Sequence, residues 1–271
     1  MIIPVVVDGA VTSRDGTAIA FERRGDGPAV VLVGGGLDDG TENAPLAAAL
    51  ASAHTVYNYS RRGRGRSGDT PPCAVAREIE DLQALVEEAG GSAHVYGTSS
   101  GGALALEAAA AGVAFDRIAV YEIPWNMAGD WPRRWGEYVA RLRAALAEQR
   151  RGDAVELFLR VAGTGEDEIA AIRSSPYWEG TQELAHTLAY DAACLGDGRP
   201  PAGRLARITQ PTLVATGAGH PLDAPAWVQA LDAAADEIAA RVPHARRLRV
   251  DGQAHIVDAE TVAPILARFF A

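Results

Sequence analysis

The chain predicts an α/β protein, with a mostly parallel sheet covered by helices on both faces and a helical insertion. Three observations predict it. Short β-rich runs alternate with longer segments whose apolar residues recur at helical spacing, the pattern of repeated β-α-β units. The first three strand-like runs are separated only by the turn signals Asp15-Gly16 and Asp26-Gly27-Pro28, so the sheet opens with a hairpin. Strand-like runs then vanish between about Pro124 and Gly203 and return afterwards.

In chain order, strands are expected at Val5–Val7, Ala18–Arg23 and Ala29–Val33, a helix at Pro45–Ser52 and a strand at Thr55–Tyr59. Val75–Glu88 is a helix because Ile79, Leu82, Leu85 and Val86 share one face. Ala93–Tyr96 is a strand, Gly101–Ala111 a helix and Arg117–Tyr121 a strand. The insertion carries helices at Trp135–Arg150, Ala154–Ala162, Asp167–Ile172 and Thr181–Cys194, and ends in the Gly/Pro-rich loop Gly196–Gly203. Strands at Thr212–Ala215 and Arg246–Val250 and helices at Ala226–Arg241 and Thr261–Phe270 complete the core. The organisation is core 1–124, insertion 125–205, core 206–271.

A chain of 271 residues with 48% apolar and 22% charged residues builds a large core without disulfides or a structural metal. A net charge of −10 repels phosphate backbones and anionic lipid, so neither nucleic acid nor membrane is an expected partner. All 25 basic residues are Arg, a bias that points to a GC-rich genome of the actinobacterial type and to no particular chemistry. Cys73 and Cys194 match no metal spacing and are expected as free thiols. The start lacks the basic residue and the length of a signal peptide, and Glu107 and Gly112 break the longest apolar stretch, so the expectation is a soluble cytoplasmic protein.

The segment Gly97-Thr-Ser99-Ser-Gly101 is a G-x-S-x-G, entered from an apolar strand and left through an Ala/Leu helix. Such a sharp turn projects the Ser99 hydroxyl from the carboxyl edge of the sheet, over a helix N-terminus. With the glycine-rich end of the third strand, the Arg/Gly loop after the fourth and a late histidine, the chain resembles the α/β-hydrolase fold family, in a cap-bearing form. The resemblance implies an eight-stranded, mostly parallel sheet with catalytic groups at the carboxyl ends of strands, 125–205 as the helical cap, and no cofactor or metal.

A serine nucleophile needs a base. His54, His94 and His244 fall at the far edge of the sheet, and His186 in the insertion. Only His220 and His255 follow core strands, and His255 also keeps the order Ser…acid…His and resembles the family's histidine loop. The family usually places Asp after the strand before the last, where this chain has His220 and, three residues later, Asp223. The other position is the end of the sixth strand, where Glu122 stands, as in haloalkane dehalogenases that carry Glu there. Glu122 is the expected acid and Asp223 the alternative; the bland roles are a salt bridge to a residue such as Arg133 and a helix N-cap, respectively.

Strand three ends Val33-Gly-Gly-Gly36-Leu37, with Gly34 where the family commonly has His. The chemistry needs only backbone N–H groups, so Gly36, or failing that Leu37, and Ser100 are the expected oxyanion donors. The run Ser60-Arg-Arg-Gly-Arg-Gly-Arg-Ser-Gly68 resembles the family's Asp-x-Arg-Gly-x-Gly-x-Ser loop, where it is structural, with Ser60 replacing Asp. The insertion concentrates aromatics: Trp125, Trp131, Trp135, Tyr138, Phe158, Tyr177, Trp178 and Tyr190. Of these Trp125, Trp131, Tyr177, Trp178 and Tyr190, with His186, are the expected pocket lining, which favours a bulky apolar or aromatic small molecule.

The expected activity is serine hydrolysis of an ester, thioester or lactone through an acyl-enzyme. The rivals are a non-hydrolytic cyclase, carbon–carbon bond-forming enzyme or lyase of natural-product biosynthesis, and a non-catalytic ligand-binding protein on the same fold.

Overall fold

The computed structural model describes residues 6–218 and 226–271. The strands are β1 (Val7–Thr12), β2 (Ala18–Arg24), β3 (Ala29–Val33), β4 (Thr55–Tyr59), β5 (Ala93–Thr98), β6 (Phe115–Tyr121), β7 (Thr212–Gly217) and β8 (Ala245–Val250). They form one sheet in the order β1-β2-β4-β3-β5-β6-β7-β8. β4 through β8 run parallel, β2 is antiparallel to β4, and β1 is antiparallel to β2. This is the α/β-hydrolase arrangement, eight-stranded and mostly parallel.

Strand alternation explains the two cores. Val31 and Val33 face one layer, with α2 (Val75–Glu88), α3 (Ser100–Ala110) and α10 (Ala226–Arg241). Val30 and Leu32 face the other, with α1 (Ala44–Leu50) and α11 (Ala259–Phe270). A strand buried on both faces must be apolar at every position, which is why β3 reads as an unbroken run. Between β6 and β7 lie α4 (Trp131–Ala147), α5 (Arg151–Val161), α6 (Glu166–Arg173), α7 (Trp178–Glu183), a 3₁₀ turn at Ala185–Thr187, α8 (Leu188–Leu195) and α9 (Ala202–Leu205). No helix among the described residues is long and apolar enough to cross a membrane.

Three elements differ from expectation. The first strand is Val7–Thr12 rather than Val5–Val7, because Asp8 and Gly9, poor strand formers, pair with Glu22 and Phe21; Val5 lies outside the described residues. The helix expected over Thr181–Cys194 is split, the 3₁₀ turn lying between α7 and α8. The loop after Gly196 contains the short helix α9, which starts after Pro201.

Candidate active site

Ser99 sits between β5 and α3 with φ 54° and ψ −130°. A non-glycine residue in that region stores about 1–3 kcal/mol of strain and persists only when its surroundings fix it. Here α3 starts at the next residue, and Ser99 N–H donates to Tyr121 O (2.9 Å), tying the elbow to the end of β6. Ser99 is half-buried. Gly35 lies directly against it: a Cβ on Gly35 would come 2.9 Å from the Ser99 Cβ.

Glu122 follows β6, again at positive φ (47°), and is 2% exposed. Its Oε1 accepts the Gly217 N–H (2.8 Å) at the end of β7, and its Oε2 lies 2.7 Å from His255 Nδ1. Arg133 pairs instead with Glu137. The His255 loop is braced from both sides. Tyr121 Oη donates to Ala254 O (2.7 Å), and Gln253 Oε1 accepts the Asp258 N–H (2.7 Å) where Asp258 caps α11. An imidazole whose Nδ1–H is held by a carboxylate presents Nε2 as a proton acceptor. His255 lines a small cleft of about 20 Å³ with Thr98, the residue before the elbow serine, and with Tyr96, Asn43 and Glu42. Asp223 and His220 fall outside the described residues.

Gly36 lies in the loop after β3, Ser100 opens α3, and Leu37 has φ 61°. The histidine absent from position 34 has a physical counterpart. A Cβ there would lie 1.9 Å from Asp38 Oδ2, so the Asp38 carboxylate fills the space. Asp38 Oδ1 accepts the N–H groups of Gly40 and Glu42, and burial pushes its carboxyl up. In the arginine loop, Arg61, Arg62 and Arg64 are buried and paired with carboxylates, and only Arg66 is exposed.

The insertion aromatics divide. Trp125 is fully buried and donates its indole N–H to Leu195 O (3.0 Å), and Trp131 stacks on Trp135; both serve packing inside the insertion rather than a solvent-reached wall. Tyr177 is 79% exposed, and Trp178 is partly buried against the core cluster. Tyr190 Oη donates to Asp69 Oδ2 (2.8 Å), with His186 Nε2 3.5 Å from the same oxygen. Two insertion side chains reach the glycine loop after β3: the Phe158 ring lies 3.1 Å and Asp191 Oδ2 3.5 Å from where a Gly36 Cβ would be. Apolar patterning marked Phe158 as aromatic but not which way it faces. Tyr121 and Asp38 had no sequence signal at all.

The family model for the alpha/beta hydrolase family matches residues 29–264. A candidate carbamate hydrolase, RutD, of Azorhizobium caulinodans is 30% identical over 251 residues, covering 89% of each chain. A pimeloyl-[acyl-carrier protein] methyl ester esterase of Xanthomonas campestris is 30% identical over 258 residues, covering 91% of this chain and 96% of that one. The crystal structure of an alpha/beta hydrolase from Sphaerobacter thermophilus superposes with a TM-score of 0.86 at 47% identity, covering 97% of this chain and 100% of that one. With its eight-stranded sheet, its elbow and relatives that are hydrolases and esterases, the chain belongs to the alpha/beta hydrolase family.

Proposed function

We propose that the chain is a serine hydrolase acting through an acyl-enzyme. Ser99 attacks the carbonyl of an ester, thioester or lactone. His255 takes the hydroxyl proton and passes it to the leaving group. Glu122 holds the imidazole in the required tautomer, and the Gly36 and Ser100 N–H groups stabilise the oxyanion. The single observation that carries this reading is the 2.7 Å bond between Glu122 Oε2 and His255 Nδ1, made at the edge of the sheet where Ser99 adopts its strained turn.

The two curated relatives are named for a carbamate and a methyl ester, both carbonyls bearing a heteroatom leaving group. That supports acyl transfer over the non-hydrolytic alternatives. Phe158 at the oxyanion loop and the partly buried Leu37 support an apolar acyl or leaving group, with the segment 125–205 as its cap. Incubation with a fluorophosphonate tests the reading. The expected result is one covalent adduct per chain, on Ser99, absent from Ser99→Ala and strongly slowed in His255→Ala. Unchanged labelling of Ser99→Ala would overturn it.

A further inference from the structure

We propose that Arg64, held by Asp191 of the insertion, is the positioning residue of the oxyanion hole: it grips the Gly35 carbonyl and so aims the Gly36 N–H. The inference rests on the serine-hydrolase reading and adds to it what fixes a loop of three glycines that has no side chain of its own to lock it.

The argument begins with one peptide plane. The Gly35 C=O and the Gly36 N–H belong to the same planar trans unit and point in opposite directions. Fixing the carbonyl therefore fixes the amide. Arg64 Nη1 donates to Gly35 O, and Arg61 Nη1 donates to Gly34 O at 3.3 Å. Bonds from a guanidinium are stronger than neutral ones. A hydrogen bond to the carbonyl also polarises the peptide and strengthens its N–H as a donor.

Both guanidinium groups are themselves aimed. A single oxygen of Asp191, Oδ1, accepts from Arg61 Nη1, Arg64 Nη2 and Ser100 Oγ, each at 2.7 Å. One carboxylate oxygen thus gathers both sides of the oxyanion hole: the Gly36 side through Arg64 and the Ser100 side directly. Glu78 takes Arg61 in a fork at 2.7 and 3.0 Å, so two arginines meet two carboxylates and the cluster is neutral. Burial pushes the Asp191 carboxyl up, but Arg64 and Arg61 outweigh it and hold the group below the usual carboxylate range. Asp191 lies on α8, in the insertion, while Arg61 and Arg64 occupy two of the variable positions of the loop after β4. The seating of the insertion is therefore transmitted to the oxyanion donors through a buried ion pair.

The test is steady-state hydrolysis of p-nitrophenyl butyrate by wild type, Ser99→Ala, Arg64→Met, Arg64→Lys and Asp191→Asn. Rates are normalised to chain concentration from absorbance, and folding is checked by circular dichroism. Loss of a direct oxyanion donor costs roughly 10²–10³-fold, so loss of its brace is expected to lower kcat about tenfold in Arg64→Met, with KM within twofold. Affinity for an aryl trifluoromethyl ketone, whose adduct carries an oxyanion, falls by the same factor, and Arg64→Lys recovers part of both. Should Arg64→Met fail to fold, Asp191→Asn, which keeps the size and one acceptor oxygen, is read in the same way. A folded variant with wild-type kcat and ketone affinity, alongside a dead Ser99→Ala, overturns this inference alone. Turnover surviving in Ser99→Ala overturns the serine-hydrolase reading and this inference with it.

Discussion

Replacing Glu122 by Gln changes one atom at the centre of the site and nothing in its packing. The side chain is 2% exposed, and among the described residues its Oε1 accepts the Gly217 N–H and its Oε2 meets His255 Nδ1. Gln keeps the first bond, because its carbonyl oxygen can still accept from Gly217 at 2.8 Å. The NH₂ group then faces His255 Nδ1 and donates where the carboxylate accepted. The imidazole must turn its acceptor nitrogen to the amide, which leaves a proton on Nε2, the nitrogen that takes the Ser99 proton in the proposed mechanism. The same acid-to-amide exchange in a Ser-His-Asp site lowers kcat by about 10⁴. Allowing for the partly exposed imidazole (37% side-chain exposure), which solvent can help to reorient, we expect a fall of about 10³–10⁴. That corresponds to roughly 4–5.5 kcal/mol of lost transition-state stabilisation. The assay is p-nitrophenyl butyrate hydrolysis with kcat and KM separated; KM should move little, because the acid touches no substrate. A folded Glu122→Gln retaining more than a tenth of wild-type kcat would refute the reasoning and transfer the role of acid elsewhere.

Gly35→Ala places a Cβ 2.9 Å from the Ser99 Cβ, so Ser99 or the glycine loop must shift; a fluorophosphonate labelling rate roughly 10²-fold lower in a folded chain is expected, and an unchanged rate would contradict it. Arg62→Met removes the fork onto Asp81 (2.8 and 2.7 Å) and strands a buried carboxylate; urea unfolding should show a loss of about 3–5 kcal/mol, and a loss below 1 would deny the pair its role. His54 and His94 are buried beside Phe270, and burial holds both below the ordinary value of 6.5. The unfolded chain binds protons there that the native chain refuses, so stability should fall as pH drops below about 6.5. Urea midpoints at pH 7 and pH 5 measure this; His94→Phe, in place of a ring stacked 4.8 Å from Phe270, should lessen the fall, and an undiminished fall would put the acid sensitivity elsewhere.

The elements that sequence made legible are those whose meaning is local. The elbow is visible because a G-x-S-x-G between an apolar strand and an Ala/Leu helix has few other uses, and β3 because burial on both faces demands an unbroken apolar run. Glu122 is visible because a lone carboxylate closing an apolar strand needs a partner, although the partner, His255, is 133 residues away. What escaped notice is non-local. The bond from Arg64 to Asp191 joins residues 127 apart, and nothing in the spacing of either marks it. Tyr121 braces the histidine loop through a carbonyl, which any residue at position 254 would offer. Helical periodicity placed the aromatics in the insertion without fixing their directions: Trp125 turned inward to bond Leu195 O, Tyr177 stayed in solvent, and Phe158 met the glycine loop at Gly36. β1 was displaced because pairing with β2 overrode the poor strand propensity of Asp8 and Gly9.

Pre-steady-state hydrolysis of p-nitrophenyl pivalate, a slowly deacylating ester, addresses the covalent step head-on. The account predicts a burst of about one p-nitrophenolate per chain and an intact mass raised by one pivaloyl group, mapped to Ser99. Linear release without an adduct, continuing undiminished in Ser99→Ala, would contradict it.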